Sequence, residues 1–147
     1  MARYSFDPFA YVIPPELSGA ASDDVPVSII GAGPIGLAAA VDLATRGVRS
    51  VILDDNNVVS VGSRAICWPK RTLEIFDRLG VADRMLAKGV TWRVGRVYRG
   101  DREIYKFDLL PEDGHKFPAF INLQQYYVEQ YLIERCADFP HFIDLRF

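Results

Sequence analysis

The hydrophobic pattern divides the chain into short segments with two different periods. Residues 27–30, Val-Ser-Ile-Ile, form a brief apolar run between Pro26 and Gly31. Such a run, bounded by turn-forming residues, predicts a buried strand. Residues 31–36 then read as a tight turn, and residues 35–46 as an apolar helix closed by Gly47. A second β-branched run over residues 48–53 predicts another buried strand, followed by a loop over 54–62. The period changes again at about residue 69. Leu73, Ile75, Phe76 and Leu79 fall mostly on one helical face, and Gly80 stops that helix. A short helix is predicted over 82–88. Two strands, 91–98 and 103–109, flank Arg99-Gly100-Asp101-Arg102, whose chemistry suits a hairpin. A loop over 111–118, a strand over 120–123, an amphipathic helix over 125–137 and a strand over 141–147 complete the pattern.

This alternation predicts an α/β fold: a Rossmann-like βαβ unit with added helices and a β-hairpin. Residues 1–26, rich in Pro, Ala, Ser and Asp, predict an extended arm, ordered only where Tyr4, Phe6, Phe9 and Tyr11 dock. Residues 27–147 are then one domain. The last strand has no turn or cap after it, so that domain is expected to be the N-terminal part of a longer one.

Composition narrows the function classes. The chain has 147 residues and a net charge of −2. A surface built for nucleic-acid phosphates needs a basic excess, so no nucleic-acid partner is expected. No apolar run reaches the roughly 18 residues of a membrane span, and the N-terminus lacks a signal-peptide pattern. Cys67 and Cys136 are far apart in sequence, which fits a reducing, cytoplasmic compartment and two small buried hydrophobes. His115 and His141 have no metal-ligand spacing, so no metal site is expected.

The chemistry concentrates at Gly31-Ala32-Gly33-Pro34-Ile35-Gly36, a G-x-G-x-x-G turn. It leaves a buried strand, opens a helix, and is followed by a second buried strand ending at Asp54, where such units carry an acidic residue. Gly31 permits the turn. Gly33 lets a pyrophosphate approach the backbone. Gly36 lets the helix pack on the sheet. Pro34 begins the helix without losing a needed hydrogen bond. The helix N-terminus offers free N–H groups and positive potential, and Asp54 can accept hydrogen bonds from a ribose diol. NAD and FAD share that ADP half, while Asp54 opposes the 2′-phosphate of NADP.

Four blocks in order carry a family resemblance: Gly31 to Leu37, Gly62-Ser63-Arg64-Ala65, Lys70-Arg71-Thr72-Leu73-Glu74-Ile75, and Asn122-Leu123-Gln124-Gln125. Together they resemble the FAD-dependent aromatic hydroxylases, single-component flavoprotein monooxygenases with the para-hydroxybenzoate hydroxylase fold. Within these, the chain is most similar to the 3-(3-hydroxyphenyl)propionate hydroxylase and pentachlorophenol monooxygenase branch. The resemblance implies that Gly31, Gly33, Pro34, Ile35 and Gly36 hold the FAD pyrophosphate. It also implies that Asp54, with Asp55 beside it, meets the adenosine ribose. Asp54 stands where many relatives carry Glu, and Asp55 where many carry Arg. Arg64 is implied to reach the FAD phosphate region, and Gln125 (Gln124 is its neighbouring alternative) to hydrogen-bond the cofactor. The implied activity is that of an NAD(P)H-dependent FAD monooxygenase hydroxylating a phenolic small molecule. No catalytic residue is assigned, and the family's later Asp-Gly and Gly-Asp motifs are absent. Asp113-Gly114 lies in a loop and does not replace them.

Two alternatives remain at this point. One is a truncated FAD-binding fragment without turnover. The other is an NAD-dependent dehydrogenase, which requires a third parallel strand soon after the second helix. Blander readings apply elsewhere. Arg71 and Glu74 are expected to pair. Tyr126, Tyr127 and Tyr131 are expected to pack. Arg93, Arg96, Arg99 and Arg102 should form a solvated hairpin face. Cys67 and Trp68 line either a flavin pocket or the core.

Overall fold

A parallel three-stranded sheet is built from segments at opposite ends of the sequence. The computed structural model describes residues 7–11, 13–19, 24–62, 64–110 and 112–147. Tyr4 and Phe6, expected to dock the arm, lie outside them. The described residues fall into two compact units, one made of those before Arg64 together with Gln125–Phe147, the other of Arg64–Gln124.

In the first unit, β1 (Val27–Ile30) leads through the glycine turn into α1 (Pro34–Thr45) and on to β2 (Ser50–Leu53). The helix begins at Pro34, one residue before the predicted start, because the fixed φ of proline suits the first turn. It ends in the predicted glycine cap. Gly47 has φ +75°, its N–H reaches the Ala44 carbonyl at 3.0 Å, and the Val48 N–H reaches Leu43 at 3.0 Å. This double bond pattern satisfies carbonyls the helix end would otherwise leave open. Val48 belongs to this cap, so β2 starts at Ser50, two residues later than predicted.

The third strand, β8 (Ile143–Arg146), pairs in parallel with β2, giving the order β1-β2-β8. It comes after the whole second unit, not soon after the second helix as the dehydrogenase reading requires. Helix α4 (Gln125–Cys136) precedes it and packs on α1. Leu37, Val41, Ile52, Val128 and Leu132 are fully buried in this unit. Each such side chain contributes about 1.5–3 kcal/mol relative to exposure.

The second unit holds α2 (Lys70–Arg78), α3 (Ala82–Lys88) and an antiparallel sheet of order β3-β7-β4, formed by Cys67–Pro69, Phe120–Asn122 and Val90–Trp92. Strand β3 had no expectation from sequence, since three residues before a helix show no measurable period. Its alternation decides the two readings of its neighbours. Trp68 points inward, buried, with its indole N–H donating to the Leu123 carbonyl at 2.7 Å. Cys67 points outward and is exposed, against the expectation of a buried thiol, with Sγ 3.3 Å from Asn122 Oδ1. Cys136 is buried as expected. Leu73, Phe76, Met85, Ile121 and Leu123 complete this core.

The predicted strand over 91–98 is in fact two, β4 and then β5 (Val94–Arg99). The latter forms the expected hairpin with β6 (Arg102–Asp108), turning at Gly100 and Asp101. Gly95 lies beneath the ring of Phe107, where a Cβ would collide with it. Arg96 pairs with Glu103 at 2.7 Å on this exposed hairpin, and Arg71 pairs with Glu74 at 3.0 Å. Among the described residues no helix is long and apolar enough to cross a membrane, and no cluster of His, Cys, Asp or Glu could hold a metal ion.

Candidate functional site

The glycine turn sits at the carboxyl end of β1, and each glycine meets a different constraint. Gly31 has φ +102°, and its N–H donates to the Leu53 carbonyl at 2.7 Å, tying the turn to the end of β2. Gly33 is the residue before the helix, with extended backbone (φ −76°, ψ 178°), and no side chain caps the N–H groups of the first turn. A Cβ on Gly33 would meet nothing within 4 Å, so the space in front of its backbone is open. Gly36 is the opposite case. A Cβ there would collide with the Gly31 carbonyl oxygen and lie 3.1 Å from Ile29 Cγ2. The fold itself therefore requires Gly36, whereas Gly33 faces open space.

Asp54 is locked to this turn. Its Oδ2 accepts the Ala32 N–H at 2.6 Å, and its Oδ1 accepts the Asn56 N–H at 2.8 Å. A carboxylate has about four acceptor positions, so two remain for further donors. Ile30, Gly31, Leu53, Asp54 and Asp55 line an open cleft of about 550 Å³ beside the turn. Asp55 is exposed, and its Oδ1 accepts from Asn56 Nδ2 at 2.8 Å. Ile35, on the first turn of α1, is 84% exposed. An apolar rim thus borders a floor of free N–H groups and an acidic edge. That arrangement suits an anion at the helix N-terminus and a polyol at the carboxylate.

Gln125 opens α4 in the same unit. Its Nε2 donates to Glu129 Oε1 at 2.7 Å and contacts Ser60 Oγ at 3.3 Å. Glu129 is 2% exposed and also accepts the Ser60 N–H at 2.6 Å and the Ser60 hydroxyl at 2.7 Å. This network binds the far end of the loop that begins at Asp54. Sequence reasoning left out Ser60 and Glu129 as site-shaping residues. The available signal was the i, i+4 spacing of Gln125 and Glu129 on one helical face. Arg64 is the first residue of the second unit and is exposed. The structure thus brings Gly31, Gly33, Pro34, Ile35, Gly36, Asp54 and Asp55 together at one sheet end.

Residues 24–147 match the family model described as "FAD binding domain". The 6-methylpretetramide 4-monooxygenase of Streptomyces rimosus is 34% identical over 129 residues, covering 85% of this chain and 22% of the relative. The 3-(3-hydroxy-phenyl)propionate/3-hydroxycinnamic acid hydroxylase of Mycobacterium sp. (strain JLS) is 29% identical over 118 residues, covering 80% of this chain and 21% of the relative. Among solved structures, p-nitrophenol 4-monooxygenase PnpA from Pseudomonas putida DLL-E4 superimposes with a TM-score of 0.74 at 29% identity, over 83% of this chain and 31% of that one. The chain thus spans about a fifth of the length of these two curated relatives, at 22% and 21%.

Proposed function

Because this chain belongs to the FAD binding domain family, we propose that it holds the ADP half of FAD in a monooxygenase that hydroxylates a phenolic small molecule. The observation that carries this reading is the turn itself: open space before Gly33, an uncapped helix N-terminus, and Asp54 fixed beside them. In this reading the pyrophosphate lies against the N–H groups at Gly33, Ile35 and Gly36, with Pro34 shaping the first turn. Asp54 accepts from the adenosine ribose through its two remaining acceptor positions, and Asp55 flanks it. Arg64 supplies a guanidinium to the phosphates, for which charge and forked donors suit it. Gln125 completes the set from α4. Its Nε2 donates to Glu129, which fixes the side chain at the start of α4.

Bound flavin supplies the redox and oxygen-transfer chemistry, with NAD(P)H as the reductant. The residues of this chain bind and orient it. The substrate class follows the names of the relatives, which include hydroxylases of hydroxyphenyl compounds. A cytoplasmic location accords with the two free thiols.

The test is direct. The purified 147-residue chain is titrated with FAD, followed by flavin fluorescence and visible absorbance, and any co-purified ligand is identified by mass. We expect weak FAD binding and no hydroxylation by this chain alone. Arg64→Ala should lower FAD affinity by about tenfold, the loss of one charged hydrogen bond. A chain that takes up NAD and refuses FAD overturns the assignment, and unchanged affinity in Arg64→Ala removes Arg64 from the site.

A further inference from the structure

The segment before β1 touches the loop that follows Asp54 and the strand β8 that pairs beside it. The Phe9 N–H donates to the Asn57 carbonyl at 2.7 Å, and Asn57 Nδ2 donates back to the Phe9 carbonyl at 3.1 Å. The Phe9 ring stacks on Phe147, with centroids 4.4 Å apart and planes 9° from parallel. Glu16, in a short 3-10 turn (Pro15–Ser18), accepts from Arg146 Nη1 at 2.8 Å. Arg146 in turn receives the Asp54 N–H on its backbone carbonyl at 3.0 Å. Asn57 lies three residues beyond Asp54, and between them Asn56 donates to both Asp54 and Asp55. The arm therefore grips the loop after Asp54 through Phe9, and the strand beside Asp54 through Glu16 and Phe147.

We propose that this arm is a strap in which Phe9 and Glu16 act as positioning residues for the Asp54–Asp55 edge of the dinucleotide site. The inference rests on the FAD reading above and extends the site to residues before the 24–147 segment that the family model matches. Its physical basis is the entropy of the loop. Asp54 can face a ribose only if the 54–57 backbone is held, and two hydrogen bonds within four residues hold it from inside. The strap adds an external clamp at Asn57 and a second at Arg146. A preformed carboxylate edge lowers the ordering cost that the ligand must otherwise meet.

The test compares wild type, Phe9→Ala/Glu16→Gln, Phe9→Tyr and Glu16→Gln in the full chain. Affinities for FAD and for ADP are measured by titration well below the melting temperature of each protein. The double variant should bind both ligands about fivefold more weakly, the scale of one lost aromatic pair. Phe9→Tyr should bind like wild type, since it keeps the stack and the backbone bonds. Glu16→Gln should fall between the two, and it carries the test if the double variant does not fold. Unchanged affinity in the double variant, or in Glu16→Gln where that variant stands in, overturns the strap while the FAD reading stands. Equal loss in Phe9→Tyr also overturns it, because stacking would then not be the cause. A wild-type chain that binds neither FAD nor ADP overturns the FAD reading, and the strap with it.

Discussion

Replacing Gly33 and Gly36 by alanine, one at a time, separates what the glycine turn does for the fold from what it does for a ligand. A methyl on Gly36 would run into the Gly31 carbonyl oxygen, with Ile29 Cγ2 at 3.1 Å and the Gly31 carbonyl carbon at 3.3 Å. Two of these atoms are backbone at a turn with φ +102°, so they cannot swing aside as a long side chain would. Overpacking of this kind costs about 1–3 kcal/mol, and the better helix propensity of alanine returns at most about 1 kcal/mol. The expected net loss is about 1–2 kcal/mol, or roughly 2–8 °C in melting temperature for a chain of this size. A methyl on Gly33 meets nothing within 4 Å. The φ there is −76°, so no backbone strain arises, and stability should fall by about 0.5–1 kcal/mol, because glycine is a better N-cap than alanine. The same methyl stands where a phosphate would approach, and loss of one charged hydrogen bond corresponds to about ten- to a hundredfold in affinity. Thermal unfolding by far-ultraviolet circular dichroism and titration with FAD read the two effects. A Gly36→Ala protein that melts with wild type refutes the packing argument. A Gly33→Ala protein that binds FAD unchanged refutes the placement of the pyrophosphate.

Further outcomes follow from packing within each unit. Glu129→Ala strips the acceptor from the Ser60 N–H, the Ser60 hydroxyl and the Gln125 amide. Urea unfolding should show a loss of about 2–4 kcal/mol: a fully buried stranded donor costs about 1–3 kcal/mol, and these three, being part-buried, recover part of that from water; Glu129→Gln, which keeps the volume and one acceptor, should lose less. Trp68→Phe should lose about 2–3 kcal/mol, because it removes the 2.7 Å bond to the buried Leu123 carbonyl and also part of the buried ring's volume. Burial pushes the Cys136 thiol up from 9.0 to about 12. The unfolded chain therefore ionises first as pH rises, and stability from this group is complete below pH 9 and declines toward 12. Cys136→Ala should flatten that alkaline decline. A thiol reagent at neutral pH should label exposed Cys67 in the native chain and Cys136 only after unfolding; rapid native labelling of both would contradict the burial of Cys136.

Local chemistry is what the sequence carried well. The turn at residues 31–36, the helix stop at Gly47, the helix over Ala82–Lys88 and the hairpin turn at Gly100-Asp101 were all legible because each is set within a few residues. A left-handed glycine or a proline at a helix start needs no distant partner. The four blocks around Gly31, Arg64, Lys70 and Gln125 went further, since their order along the chain pointed to a flavin site that the glycine turn alone left open between NAD and FAD.

Tertiary contacts decided the rest. No period in three residues could announce β3, which exists only because β7 lies alongside it; that pairing turned Cys67 outward and Trp68 inward. Likewise the partner of β8 was not written in its own residues. It joins β2 after the second unit intervenes, because parallel pairing depends on a crossover and not on neighbouring sequence. The sequence determined that Asp54 directly follows the second strand of a glycine-turn βαβ unit. Only the fold decided what holds Asp54 in place: the Ala32 N–H, the Arg146 carbonyl, and through Asn57 the aromatic arm. Those partners lie 22 and 92 residues away, or 45 before it, and such distances are closed by packing.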